Sequence, residues 1–269
     1  MTPDAPSLSS LLADARALVP VARAEIMPRF RRTVTEIKSD GSPVTEADRE
    51  AERAMRAALR LRHPLHRITG EEFGTDGPAD APYEWVLDPV DGTAWFTLGI
   101  PVFGTLIALL HHGEPVVGVI DLPGMDETTY AARGLGCWHQ VGSATPSRVR
   151  VEPIETLAAA YVSCSGTHGS DLTDRASSVG VRRLLGESGR FRFVADCLQH
   201  AMVCRGALHG AVDPIMQVWD SAAIIPCVEE AGGVVAGIDG RRTNVAYAGS
   251  LVSAASEPLL QALLTSLKV

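Results

Sequence analysis

Residues 85–93 read Trp-Val-Leu-Asp-Pro-Val-Asp-Gly-Thr, which sets Asp88 and Asp91 three apart around a proline, with Gly92-Thr93 behind them. Carboxylate oxygens are hard ligands suited to magnesium, and two ions sharing a bridging carboxylate can hold a phosphate while activating water against it. The backbone N–H groups of Gly92 and Thr93 could meet phosphate oxygens if they open a helix or a nest. Taken alone the motif is ambiguous, because Asp is also an ordinary turn-former. Two further segments carry acids in comparable settings. Gly70-Glu71-Glu72-Phe73-Gly74 places paired acids in a glycine-bracketed loop, and Trp219-Asp220 opens an apolar stretch, Ser221 to Ala231, that ends in Gly232-Gly233. Each has a plain alternative: a solvated turn for the glutamates, a helix N-cap for Asp220.

Positioning such groups requires defined elements. A strand through Tyr83 to Leu87 would reach a sheet edge, where Pro89 denies a ladder hydrogen bond and Gly92 permits a turn, so that both aspartates leave one short rigid loop. Leu8 to Phe30 has helical periodicity interrupted by Pro20 and Pro28, and Thr45-Glu46-Ala47-Asp48 reads as a capping box opening a helix to about Leu61. Phe103 to Leu110 and Val116 to Ile120 form a hairpin pattern around His112-Gly113-Glu114, and Glu127 to Ala131 adds a third antiparallel strand. After Pro146 the rhythm changes. Strands at Ala159–Ser163, Phe191–Val194 and Ala207–Val212 alternate with helices near Leu172–Leu184, Asp196–Arg205 and Ser221–Ala231, the last kinked at Pro226.

With 269 residues, 46% of them hydrophobic, the chain can bury a large core as one domain or two closely packed lobes. A net charge of -8 without a basic stripe argues against nucleic acid, although bound divalent cations would still let an acidic site accept an anion. Cys137, Cys164, Cys197, Cys204 and Cys227 are odd in number and form no Cys-x-x-Cys pair, which fits a reduced, cytoplasmic setting without a zinc site. No apolar run reaches membrane-spanning length, so no membrane association is expected. No nucleotide-binding Gly-x-x-x-x-Gly-Lys loop and no Asp-x-Asp pair of the aspartyl-phosphate type is present, which disfavours a covalent intermediate.

Together, Gly70-Glu71-Glu72, Asp88-Pro89-Val90-Asp91-Gly92-Thr93, and Trp219-Asp220-Ser221-Ala222-Ala223 followed by Glu230-Ala231-Gly232-Gly233 resemble the magnesium-dependent, lithium-sensitive phosphomonoesterases related to inositol monophosphatase. The resemblance extends from near residue 8 to the C-terminus, and it implies an α/β fold: an alternating αβαβα sandwich. An antiparallel sheet would lie in a first lobe, residues 1–148, and a smaller, mainly parallel sheet in a second, residues 149–269. It further implies that Glu71, Asp88, the carbonyl of Val90, Asp91 and Asp220 bind two or three Mg2+ ions. Asp88 would bridge two of them. Four converging carboxylates would repel one another and raise each other's pKa values, which makes sense only around cations. Thr93 and Glu71 would activate a water, Asp48 would orient the Thr93 hydroxyl, and Gly92 and Thr93 would anchor phosphate. Lys38 matches a lysine on a loop covering the site, and a homodimer is implied.

Substrate choice is expected upstream of Trp219. Arg192 and Asp196, with Ile224 after Ala222-Ala223, look like the bacterial histidinol-phosphate phosphatases, and Asp213 matches a family acid that contacts substrate. Asp196 with Asp213 would favour a cationic alcohol portion, as in histidinol phosphate, over a neutral polyol. His200 departs from the pattern, since those enzymes usually carry tyrosine there. The substrate-binding set is therefore Asp91, Gly92, Thr93, Arg192, Asp196, Asp213 and Asp220. Phosphates of inositol, sugars, nucleotides or other amino-alcohols remain alternatives, as does a non-catalytic metal-binding relative, and Asp196 could equally cap the helix it precedes.

Overall fold

Two N-terminal helices each bury one apolar stripe. Helix α1 (Leu8–Ile26) turns Leu11, Leu12, Ala15, Leu18, Val19, Ala22 and Ile26 inward, and α2 (Glu46–Arg62) does the same with Ala47, Ala51, Met55 and Leu59. The computed structural model of the chain describes residues 6–165, 175–194 and 196–268. Pro20 lies inside α1 without ending it, whereas the helix stops at Ile26, before Phe30. Pro28 has no N–H to continue the ladder there. At α2 the capping box forms as expected: the Asp48 carboxylate accepts from the Thr45 amide at 2.8 Å.

Both helices pack on one face of an eight-stranded sheet ordered β10-β9-β8-β7-β6-β5-β3-β4. Its strands are β3 (Arg67–Gly70), β4 (Gly74–Asp76), β5 (Tyr83–Asp91), β6 (Gly104–His111), β7 (Glu114–Leu122), β8 (Glu127–Ala132), β9 (Gly136–Val141) and β10 (Ser147–Val149). Every pairing is antiparallel except β3 with β5. A two-stranded ribbon, β1 (Glu36–Ile37) with β2 (Pro43–Val44), precedes α2.

The strand expected to end at Leu87 runs on to Asp91, so the two aspartates do not leave a free loop. Its register against β6 breaks between Asp88 and Asp91, which removes the need for a donor at Pro89 and turns the side chains out of alternation. The Pro89 carbonyl is taken by the Thr105 hydroxyl at 2.8 Å.

A second, five-stranded sheet is ordered β12-β11-β13-β15-β14, from β11 (Tyr161–Cys164), β12 (Arg190–Phe193), β13 (Gly210–Asp213), β14 (Val234–Ala236) and β15 (Leu251–Ala254). Pairings β11–β12 and β11–β13 are parallel, and β13–β15 and β14–β15 are antiparallel, so the sheet is mixed where a mainly parallel one was expected. The antiparallel half comes from β14 and β15, short strands near the C-terminus that sequence periodicity did not reveal.

Helices Asp196–Cys204 and Ile224–Glu230 fill the space between the sheets, and Arg175–Glu187 and Glu257–Leu267 cover the far face of the second, giving the αβαβα order. Residues 172–174 of the helix expected from Leu172 lie outside the described residues. The helix expected over Ser221–Ala231 is two: Val218–Ser221 and Ile224–Glu230. The break falls at Ala222–Ala223, one turn before Pro226, where the proline cannot donate to the carbonyl four residues back. Glu230, from the Glu-Ala-Gly-Gly motif, accepts from the amides of Gly134 and Gly136 at 2.7 Å each and fastens its helix to the β8–β9 turn. Among the described residues no helix is long and apolar enough to cross a membrane.

Candidate active site

The bulged end of β5 is where the sheet meets three other elements. Asp88 folds back to accept from the Val90 amide at 3.0 Å, and the chain then reaches Gly92, whose φ of 80° is a left-handed conformation that glycine adopts without strain. A Cβ at Gly92 would also lie 2.6 Å from Asp196 Oδ2. Gly92 caps α3 (Thr93–Thr97), whose first amides have no intrahelical acceptor. The Thr93 hydroxyl sits 2.9 Å from the Val90 carbonyl and 3.1 Å from Asp48 Oδ1, which ties α3 to the start of α2.

Asp220 enters from the helix Val218–Ser221, held by the Gln217 amide at 2.6 Å, and the Cys197 amide donates to Asp91 at 2.7 Å. One ligand oxygen from each of Asp88, Asp91 and Asp220 lies within 4.8 Å of the others. A cavity of about 150 Å³ is lined by these three with Glu71, Val90, Gly92, Thr93, Asp196, Asp213, Ile215 and Met216.

Electrostatics in this cavity are adverse for acids left to themselves. Burial, then the charges of Glu71, Asp91 and Asp220, holds the Asp88 carboxyl well above the usual carboxylate range. Burial and the charges of Asp196 and Asp220 do the same to Asp91. Asp220 is pushed up to about 7 chiefly by burial, against the opposing Gln217 amide. Asp196 also rises to about 7, through burial and then the charge of Asp213, while the Trp95 side chain hydrogen-bonds it. A set of hard oxygen donors whose ionised forms destabilise one another fits divalent cations, which would restore the charged state.

Glu71 is reached through a network that the sequence did not announce. Glu52, wholly buried on α2, accepts from the amides of Glu72 at 2.8 Å and Phe73 at 3.3 Å, and Arg56 pairs with it at 2.7 Å. A side chain at Gly70 would overlap that carboxylate, which accounts for glycine before the paired acids. The signal was present: Asp48 and Glu52 stand four apart, beside the buried stripe of Ala47, Ala51 and Met55. Lys38, between the two strands of the β1–β2 ribbon, places its ammonium 2.7 Å from Glu71 and 2.6 Å from Glu72. Burial opposes its charge, but the two carboxylates outweigh burial and raise its pKa.

A model of the inositol monophosphatase family matches residues 7–268. The chain belongs to the inositol monophosphatase family. It is 36% identical over 232 residues to the histidinol-phosphatase of Mycobacterium tuberculosis, covering 83% of this chain and 86% of that protein. With the histidinol-phosphatase of Chlorobaculum parvum it shares 39% identity over 217 residues, covering 81% and 80%. A solved inositol monophosphatase from Zymomonas mobilis superposes with a TM-score of 0.84 at 30% identity, covering 98% of this chain and 99% of that one. The phosphatase assignment and the layered fold agree with this membership, and the family's dependence on metal agrees with the acidic cluster.

Within this family member, the cavity gathers every site residue expected from sequence except three. Asp48 and Lys38 lie behind it, hydrogen-bonded to Thr93 and Glu71. Arg192 is not among the cavity's lining residues: β12 is an edge strand of the second sheet, and the guanidinium is exposed and bonds the Phe191 carbonyl at 2.7 Å. Ile215 and Met216 line the cavity and were not foreseen, because nothing distinguishes them in sequence from core residues.

Proposed function

We propose that the chain hydrolyses a small phosphate monoester with magnesium bound by Glu71, Asp88, Asp91, Asp220 and the Val90 carbonyl, and that its preferred ester carries a cationic alcohol portion, L-histidinol phosphate. The observation that carries the second part is that Asp196 and Asp213 line the same cavity as the metal-binding acids. Burial raises Asp196, and an ammonium placed between it and Asp213 would reverse that cost, whereas a neutral polyol would leave it. The likeness to proteins named histidinol-phosphatase supports the same reading.

Bound divalent ions would neutralise the ester dianion, acidify a water and stabilise the leaving alkoxide. The protein's own groups do the rest. The Thr93 hydroxyl has one hydrogen and two flanking acceptors, Asp48 and the Val90 carbonyl, so its lone pairs can take a proton from an attacking water as its own hydrogen passes to the Asp48 carboxylate. Glu71 orients that water, and Lys38 keeps the Glu71–Glu72 pair from repelling the ester. Gly92 and Thr93 offer backbone N–H groups to the phosphate oxygens.

A phosphate-release screen over histidinol phosphate, inositol phosphate, fructose bisphosphate and adenosine phosphates tests the reading, with EDTA abolishing activity and magnesium restoring it. Full turnover in EDTA refutes the metal role. Asp196→Asn should lower kcat/KM for histidinol phosphate by an amount worth about 1–3 kcal/mol while sparing a neutral ester. Equal losses, or a wild-type preference for inositol phosphate, favour a second reading, an inositol monophosphatase. His200 in place of tyrosine and the likeness to the Zymomonas mobilis enzyme support that reading.

A further inference from the structure

The substitution at position 200 has a structural consequence. His200 and Gln199 lie on the helix Asp196–Cys204, both wholly buried, facing the end of β13, where Asp213 stands. His200 Nε2 is 2.7 Å from Asp213 Oδ2, and Gln199 Nε2 reaches the same oxygen at 2.7 Å and the Val212 carbonyl at 3.3 Å. On its other side His200 Nδ1 is 2.8 Å from the hydroxyl of Ser253, on β15, next to β13 in the sheet.

Facing a carboxylate acceptor, Nε2 carries the hydrogen, and in the neutral ring Nδ1 is left to accept from the Ser253 hydroxyl. Two short donors converge on Oδ2, which holds the carboxylate plane and leaves Oδ1 for the cavity that Asp213 lines. The same helix begins at Asp196, so one rigid element carries one acid of the cavity and clamps the other.

We propose that His200 is a positioning residue for substrate recognition: backed by Ser253, it orients Asp213 toward the alcohol portion of the phosphate ester. This rests on the reading that Asp213 faces that portion, and it does not depend on whether the portion is a cation or a polyol. A ring at position 200 bearing no donor would leave Asp213 held by Gln199 alone, free to rotate about its last torsion. A buried tyrosine could supply one donor to the carboxylate, but not the second ring nitrogen that Ser253 engages here.

The test is a double-mutant cycle of His200→Phe with Asp213→Asn, run on whichever ester the wild type turns over best, beside p-nitrophenyl phosphate, whose alcohol offers a carboxylate neither a hydrogen-bond donor nor a cation. His200→Phe should raise KM for the preferred ester about tenfold with kcat within about twofold, the scale of one lost charge-assisted hydrogen bond. It should leave kcat/KM for p-nitrophenyl phosphate within about twofold, and in the Asp213→Asn background it should cost nothing further. Ser253→Ala, which removes only the hydroxyl that backs the imidazole at Nδ1, should shift KM the same way by about two- to threefold, and it carries the test if His200→Phe does not fold. An equal loss on p-nitrophenyl phosphate, or the same factor lost with and without the Asp213 carboxylate, overturns the proposal. A wild type that prefers a neutral ester refutes the cationic reading above, while the cycle on that ester still decides the role of His200.

Discussion

Removing one charge from the acidic cavity should stabilise the metal-free protein while disabling it. Asp220→Asn is the cleanest case, because an amide oxygen can still accept from the Gln217 amide now 2.6 Å from the carboxylate. Asp220 is pushed from 3.8 to about 7, first by burial and then by the charges of Glu71 and Asp213. A carboxyl whose folded pKa is raised contributes fully to stability below its unfolded pKa. The contribution is lost as pH climbs from the ordinary carboxylate range through about 7, and the cost is constant above that. A rise of this size corresponds to roughly 4 kcal/mol, a ceiling because Asp88 and Asp91 share the same repulsion and would themselves titrate differently in the variant. At about 2–4 °C per kcal/mol for a chain of this size, the ceiling is about 8–16 °C and a gain of several degrees is expected. Melting curves in EDTA at pH 8 and pH 5 measure it: the variant should melt higher at pH 8, with the difference shrinking at pH 5. In excess magnesium the wild type should gain more than the variant, because binding to the folded state alone adds stability. An unchanged or lower melting temperature in EDTA at pH 8, or a difference independent of pH, would refute the account of the cavity as a set of mutually destabilising acids.

Two further outcomes follow from the geometry behind the cavity. Gly70→Ala should push against the Glu52 carboxylate and cost about 1–3 kcal/mol in chemical denaturation; it should also raise the magnesium concentration needed for half-maximal activity, since Glu52 holds the loop bearing Glu71. A variant with wild-type stability and metal requirement would show that Glu52 does not constrain Glu71. Thr93→Ala should lower kcat with little change in KM in steady-state assays, because the hydroxyl acts on the water and not on the ester; a near-normal kcat would leave Thr93 only a helix-opening residue.

Some of this arrangement was legible before any coordinates. The capping box at Thr45–Asp48, the β6–β7 hairpin around His112-Gly113 and a disturbance of the helix near Pro226 follow from local rules, since capping, tight turns and the missing proline donor act within a few residues, although the full break into two helices was not foreseen. The strand through Asp88 is longer than its sequence suggests because a bulge, set by pairing with β6, lets Pro89 sit within the strand without a ladder partner. The parallel-to-antiparallel change in the second sheet depends on where β15 docks beside β13, which no short window contains.

Sequence alone determined the chemistry available: three acidic motifs with glycines where backbones turn or approach closely, in an order that marks the family. The tertiary structure decided which of those groups share a space. It brought Asp220 beside Asp88 and Asp91, placed Asp196 and Asp213 on the same cavity, and left Arg192 exposed at a sheet edge. It also recruited Glu52, Gln199, His200 and Ser253, whose roles arise from hydrogen bonds between elements distant in the chain. The physical reason is that ligand type is a property of a residue, whereas burial, pKa and the direction of a carboxylate are properties of its surroundings.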